Sequence, residues 1–259
     1  MPGELLTAYL KLPVFALVLT RLTGLVLLQP VLGSLAIPLR VRALLVLGLA
    51  ALLTPFVSPP QAVPGTPGGL ALAMAGELAL GALMGLAVRM CFLGLELAGF
   101  LIATESGLAF GQIVDPGTGN EESILTTFYA QLGAAVFLIV GGHRALIEIC
   151  MHTFRTVPLL GADGLLAGGV ELAVDALALA GQIAIRAAAP VIVTLFLANV
   201  ALGFLSRTVP QLNILTVGFS LKGLLVFALA AAALPPGFEA FTEVLEQVVD
   251  RVREFASGI

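Results

Sequence analysis

The sequence predicts an all-α protein of the membrane type, built from about six long or broken apolar helices and an amphipathic C-terminal helix. Three observations carry this expectation. Hydrophobic residues make up 59% of the 259 positions and charged residues 11%, against about 45–50% and about 25% in ordinary globular domains. Mean hydropathy is +1.09. The apolar residues are gathered into long runs separated by Pro, Gly or Arg.

The first run spans 12–37 and contains Arg21, Pro30 and Gly33; Arg21 and the lack of a clean small-residue cleavage site predict that this span is retained. "PLRVR", with Arg40 and Arg42, leads to a second run over 43–57. An uncharged loop, "SPPQAVPGTPGG", follows. The third run, 70–110, has no proline. As one helix it would be about 60 Å long at roughly 1.5 Å per residue, twice the roughly 30 Å of a hydrocarbon core. It therefore either projects well beyond a membrane or breaks near a glycine. A fourth run covers 127–150 and a fifth 172–205, the latter holding Arg186 and Pro190. The sixth covers 212–234, and Pro235, Pro236 and Gly237 are expected to end it sharply.

The tail repeats Phe238, Phe241, Val244, Leu245, Val248, Val249, Val252 and Phe255 at three- and four-residue steps, one stripe of an amphipathic helix. Its five acids and two arginines make anionic lipid a poor target, and a protein neighbour is the expected surface for it. The positive-inside rule puts the Arg40/Arg42 turn in the cytoplasm, and six crossings would leave both ends outside.

Composition also limits function. A net charge of −4 argues against nucleic acid as a partner. Trp is absent and Tyr occurs twice, so the interfacial aromatic belt is weak, which fits a subunit covered by neighbours. Cys91 and Cys150 lie in apolar runs and read as small buried hydrophobes. His143 and His152 lack the co-ligands of a metal site and read as core or interface residues. No P-loop, HExxH motif or nucleophile elbow is present. No enzyme activity, cofactor or metal is expected, and energy for any transport must come from an ion gradient or a partner.

Seven charged residues lie within or near apolar runs: Arg21, Glu77, Arg89, Glu96, Glu105, Arg186 and Lys222. Each would cost about 2.5–3.5 kcal/mol at a bilayer centre on insertion scales. With Arg207 on the "SRTVPQ" turn, they are candidates for contacts between helices or subunits. Arg89 and Glu96 share a helix face but stand two turns apart, too far for an i,i+4 pair. "GALMG", residues 81–85, has the small-xxx-small spacing that lets helices approach closely.

One segment departs from the apolar pattern: "GLAFGQIVDPGTGNEESIL", 107–125, is rich in Gly and carries Asp115, Glu121 and Glu122. By its residues alone it is either an ordinary turn between helices or an irregular segment lining a cavity. Gly107, Gly111, Gly117 and Gly119 lower the cost of irregular backbone, and Pro116 after Asp115 favours a turn. Phe110 and Ile113 supply apolar surface between them.

Four stretches taken in order resemble the FliR family, a subunit of the flagellar type III export apparatus: "RLTGLVLLQPVLGSLAIPLRVRALLVLGLA", "ESGLAFGQIVDPGTGNEESILTTF", "FLIVGGHRALIEICMHTFRTVPLL" and "APVIVTLFLANVALGFLSRTVPQLNILTVGFSLKG". Gly141 stands where the family often has Asn, and Ser220 where Pro commonly follows Gly-Phe; both departures bear on local packing rather than on the assignment. "LANVALGF", with Asn199, is closer to the flagellar branch than to the equivalent subunit of virulence systems.

The resemblance implies a non-enzymatic export-gate subunit in the bacterial inner membrane, at the flagellar basal body. Its implied partners are FliP and FliQ homologues, with FlhB and FlhA nearby, membrane lipid, and unfolded substrates passing through a pore. It implies a FliP-like region over 1–171, a FliQ-like hairpin over 172–236 and the tail helix over 237–259. It also implies that segment 106–123 plugs the pore, with Gly107, Phe110, Gly111, Ile113, Asp115, Pro116, Gly117 and Gly119 in the plug. The residues alone leave two other readings, a secondary transporter for a small solute and a purely structural membrane scaffold.

Overall fold

A computed structural model describes residues 2–34, 37–60, 64–109, 123–161, 165–208 and 214–258. Among these residues there are seven α-helices and no strand. They are α1 (Pro2–Leu28), α2 (Leu39–Leu53), α3 (Pro67–Ser106), α4 (Ile124–Val140), α5 (Gly142–Thr156), α6 (Leu165–Thr208) and α7 (Ile214–Gly258), with a 3-10 turn, Thr54–Phe56, after α2. The all-α expectation therefore holds, and several boundaries move.

The first apolar run ends as a helix at Leu28, because the chain folds over Gln29. The Gln29 side chain accepts the Leu32 N–H, and the Gln29 carbonyl accepts the Gly33 N–H at 2.8 Å. Between the two outcomes open for the third run, α3 is one unbroken helix of 40 residues. It stops at Gly107, whose φ of 84° is the left-handed geometry that closes many helices. The fourth run is not one helix. It breaks at Gly141, with φ 83°, a conformation few residues other than Gly or Asn accept.

The expected stop at Pro235 is corrected. α7 continues through Pro235, Pro236 and Gly237 for 45 residues. A proline inside a helix removes one hydrogen bond and crowds the carbonyl four residues back, about 3 kcal/mol or more. Here Ala231 and Ala232, whose carbonyls lose a donor, are exposed, while Ala233, Gly237, Ala240 and Phe241 on either side are buried. Tertiary burial of both halves outweighs the local penalty.

Two compact units divide the chain. The first comprises Met1–Met90, Gly141–Leu177 and Leu245–Ile259. Its core gathers Leu17, Val18 and Leu22 of α1, Leu80 and Met84 of α3, Leu146 and Ile149 of α5, and Val248 and Val252 of α7. The second comprises Cys91–Val140 and Ala178–Val244. There Phe92 stacks edge-on against Phe137 at 5.5 Å and Phe241 at 5.4 Å between ring centroids. Small α6 residues at helical spacing, Ala180, Ala184, Ala187 and Ala188, bury beside Ile183 and Val191.

The tail stripe is likewise corrected in its partner. Phe241, Val244, Leu245, Val248 and Val252 are buried within this chain instead of awaiting a neighbour. Four helical segments are long and apolar enough to cross a membrane: Leu39–Phe56, Pro67–Ser106, Gly168–Thr208 and Gly218–Gly258. Counting α4 and α5 as one broken span gives five, and Leu12–Leu28 is a shorter apolar stretch. Six full crossings are thus more than the described helices supply.

Candidate functional site: a buried ionic cluster between helices

Within the first unit, α1 and α3 meet through their backbones. Gly81 and Gly85 face α1 so closely that a Cβ on Gly85 would lie 2.5 Å from the Leu25 carbonyl oxygen. A Cβ on Gly81 would overlap the Arg21 carbonyl oxygen. This is the close approach that small-xxx-small spacing permits. One turn before Gly81, the same α3 face presents Glu77.

Glu77 and Arg21 are both buried, at 2% and 0% exposure, and pair through Nε and Oε2 at 2.5 Å. The remaining polar atoms are also used. Arg21 Nη1 and Nη2 each donate to the Val157 carbonyl at 3.2 Å, and Nη1 reaches Thr153 Oγ1 at 3.5 Å. The guanidinium lies 4.4 Å from the centroid of the Phe154 ring. Glu77 Oε1 accepts the Leu160 N–H at 3.0 Å. One ion pair therefore joins α1, α3, the end of α5 and the turn that follows it. A buried pair withstands its desolvation only when the leftover donors and acceptors are satisfied in this way.

The other charged candidates occupy different settings. In the second unit, Glu105 accepts a hydrogen bond from Asn199 Nδ2 at 2.8 Å, linking α3 to α6. Arg186 Nη1 meets Glu243 Oε2 at 2.7 Å between α6 and α7, with both side chains about half exposed. Arg89 and Glu96 are half-buried on α3, Lys222 is half-buried on α7, and Arg207 is exposed at the end of α6. Arg251 bridges α7 to Asp175 of α6 at 3.6 Å in the first unit, a pair the sequence reading did not single out. Its only trace in the sequence is that each residue lies on the polar side of an amphipathic stripe.

Of the candidate plug residues, Gly107 is described, as the residue that follows the end of α3. Phe110, Gly111, Ile113, Asp115, Pro116, Gly117 and Gly119 lie outside the described residues. Cys91 and Cys150 are buried free thiols. Among the described residues, no group of three His, Cys, Asp or Glu side chains could hold a metal ion. The Nδ1 atoms of His143 and His152 are buried without a hydrogen-bond partner there. The chemistry of this cluster is charge neutralisation between helices.

Comparison with known proteins places this architecture. Residues 12–248 match the family described as bacterial export proteins, family 1. The chain is 31% identical over 250 residues to the flagellar biosynthetic protein FliR of Pectobacterium carotovorum subsp. carotovorum, covering 92% of each chain. It is 30% identical to FliR of Escherichia coli K12, over 91% of each chain. It is 29% identical to the surface presentation of antigens protein SpaR of Shigella sonnei, over 58% of this chain and 57% of that one. The chain belongs to the FliR family of bacterial export proteins.

Proposed function

We propose that this chain is a non-enzymatic core subunit of a flagellar type III export gate, helping to form the pore through which unfolded flagellar proteins pass. The observation that carries the reading is the collinear similarity to a flagellar biosynthetic protein over 92% of both chains. The shorter match to SpaR, over 58% of this chain, favours the flagellar over the virulence branch.

The exposed surface supports a membrane subunit with neighbours. Leu39, Leu44 and Phe56 on and just after α2 are 75%, 69% and 72% exposed, and Phe196, Phe204 and Leu224 on α6 and α7 are similarly bare. Each unit thus leaves large apolar side chains bare, as a chain covered by lipid or neighbours does. In this reading the neighbours are FliP and FliQ homologues, with FlhB and FlhA close by. Residues 1–171 supply a FliP-like region and 172–236 a FliQ-like hairpin, and the assembly sits at the basal body in the inner membrane. The segment 106–123 is the plug. Its support is compositional: four glycines and Pro116 favour irregular backbone, Phe110 and Ile113 are apolar, and Asp115 is acidic.

Two measurements test the reading. Co-expression with the FliP and FliQ homologues of its own genome, followed by native mass spectrometry, should give a complex with one copy of this chain among several of the others. A chain that stays alone or only dimerises would overturn it. Deleting residues 110–120 should then make the assembled gate leak small ions; a gate that stays tight would remove the plug.

A further inference from the structure

The Arg21–Glu77 pair reaches beyond its own two helices. Beyond the bond from Arg21 Nη1 to Thr153 at the end of α5, both partners direct their remaining hydrogen bonds to the same short turn: Arg21 to the Val157 carbonyl with both terminal nitrogens, Glu77 to the Leu160 N–H. That turn is unusual. Leu160 has φ 74°, the one positive φ among described residues other than glycine, in a region an L side chain seldom adopts. Leu159 beside it is buried, and Gly161 N–H closes onto the Pro158 carbonyl at 2.9 Å.

We infer that the Arg21–Glu77 pair is a conformational clasp that sets the 157–161 turn between α5 and α6, and that it acts through specificity of that turn rather than through net stability. The inference does not depend on the export reading. It follows from the direction of the bonds. A generic ion pair needs only opposite charges, and replacing a buried pair by apolar residues is often neutral for stability. Here all three nitrogens of the arginine fork are used: Nε serves α3 and both terminal nitrogens serve the turn. Lysine cannot reproduce that geometry. Reversing the pair would set a carboxylate against the Val157 carbonyl, acceptor facing acceptor. The free Glu77 oxygen fixes the N–H of the one residue whose backbone is strained.

The test uses the full chain in detergent, with hydrogen exchange of the 155–161 peptide and the melting temperature read together. In the wild type this peptide should exchange slowly. The double variant Arg21→Met/Glu77→Leu should melt near the wild type while the peptide exchanges at least about tenfold faster. Arg21→Lys, which keeps both charges, should also lose protection at the turn. Charge reversal, Arg21→Glu/Glu77→Arg, should not restore it. A double variant that fails to fold or melts far lower would show a stability role and overturn the inference. Unchanged exchange in either the double variant or Arg21→Lys would show that the turn holds itself, and would overturn it equally.

Discussion

Gly81→Ala adds one methyl group where two helices touch, and its cost follows from the geometry. The new Cβ would overlap the Arg21 carbonyl oxygen and stand 2.9 Å from its carbon and 3.0 Å from the Leu25 nitrogen. All three are main-chain atoms of α1, so no side-chain rotation relieves the contact. Relaxed carbon contacts need about 3.5–4.0 Å, so relieving the overlap with the Arg21 carbonyl oxygen requires α1 to shift by more than about an ångström. One turn away the buried Arg21–Glu77 bond holds α1 to α3 at 2.5 Å. Overpacking of this kind costs about 1–3 kcal/mol, and alanine's better helix propensity returns about 1 kcal/mol. With rigid obstacles the net loss should be about 2 kcal/mol, a drop of about 4–8 °C for a chain of this size.

Gly181→Ala on α6 is the control. Nothing lies within 4 Å of its new Cβ, so propensity alone acts and stability should rise by about 0.5–1 kcal/mol. A thiol-reactive fluorogenic dye suits the assay, because both cysteines are buried until the fold opens. The two variants must shift in opposite directions. Gly81→Ala melting at or above the wild type would refute the claim that α1 and α3 are in backbone contact.

The same thiols give a second expectation. Cys91 and Cys150, at 1% and 0% exposure, should resist maleimide in the native chain and take up two labels after denaturation; labelling of the native chain would contradict their burial. The two inter-helix ion pairs should differ sharply. Glu243→Ala removes a half-exposed partner of Arg186 and should cost less than about 1 kcal/mol. Glu77→Ala leaves Arg21 charged and buried, and should cost about 3–5 kcal/mol. Equal melting temperatures for these two variants would show that burial does not decide the value of the pairs.

Much of the fold could be read from local composition. α2 with its 3-10 turn, α3, α6 and α7 carry long apolar runs, and hydropathy needs no partner to be visible. The tail stripe was legible because Val244, Val248 and Val252 repeat at the helical period. The site was legible only in part. Arg21 and Glu77 each stood out as a charge in an apolar run, yet 56 residues separate them and neither run names its partner. Nothing in "HTFRTVPLL" announces that the Val157 carbonyl and the Leu160 N–H would complete their coordination.

The sequence by itself determined the class, the apolar helices and the family, because each rests on the order and kind of side chains along the chain. Tertiary structure decided where helices end and which charges meet. Pro235 and Pro236 fit inside α7 since burial on both sides outweighs two lost hydrogen bonds. The tail stripe turned inward for a related reason: apolar area is indifferent to whether its cover is another chain or its own, and here α7's own chain lies within reach. Arg21 found Glu77 because Gly81 and Gly85 let α1 and α3 close to backbone contact, and at that distance every nitrogen of the guanidinium and both carboxylate oxygens of the buried pair find a partner.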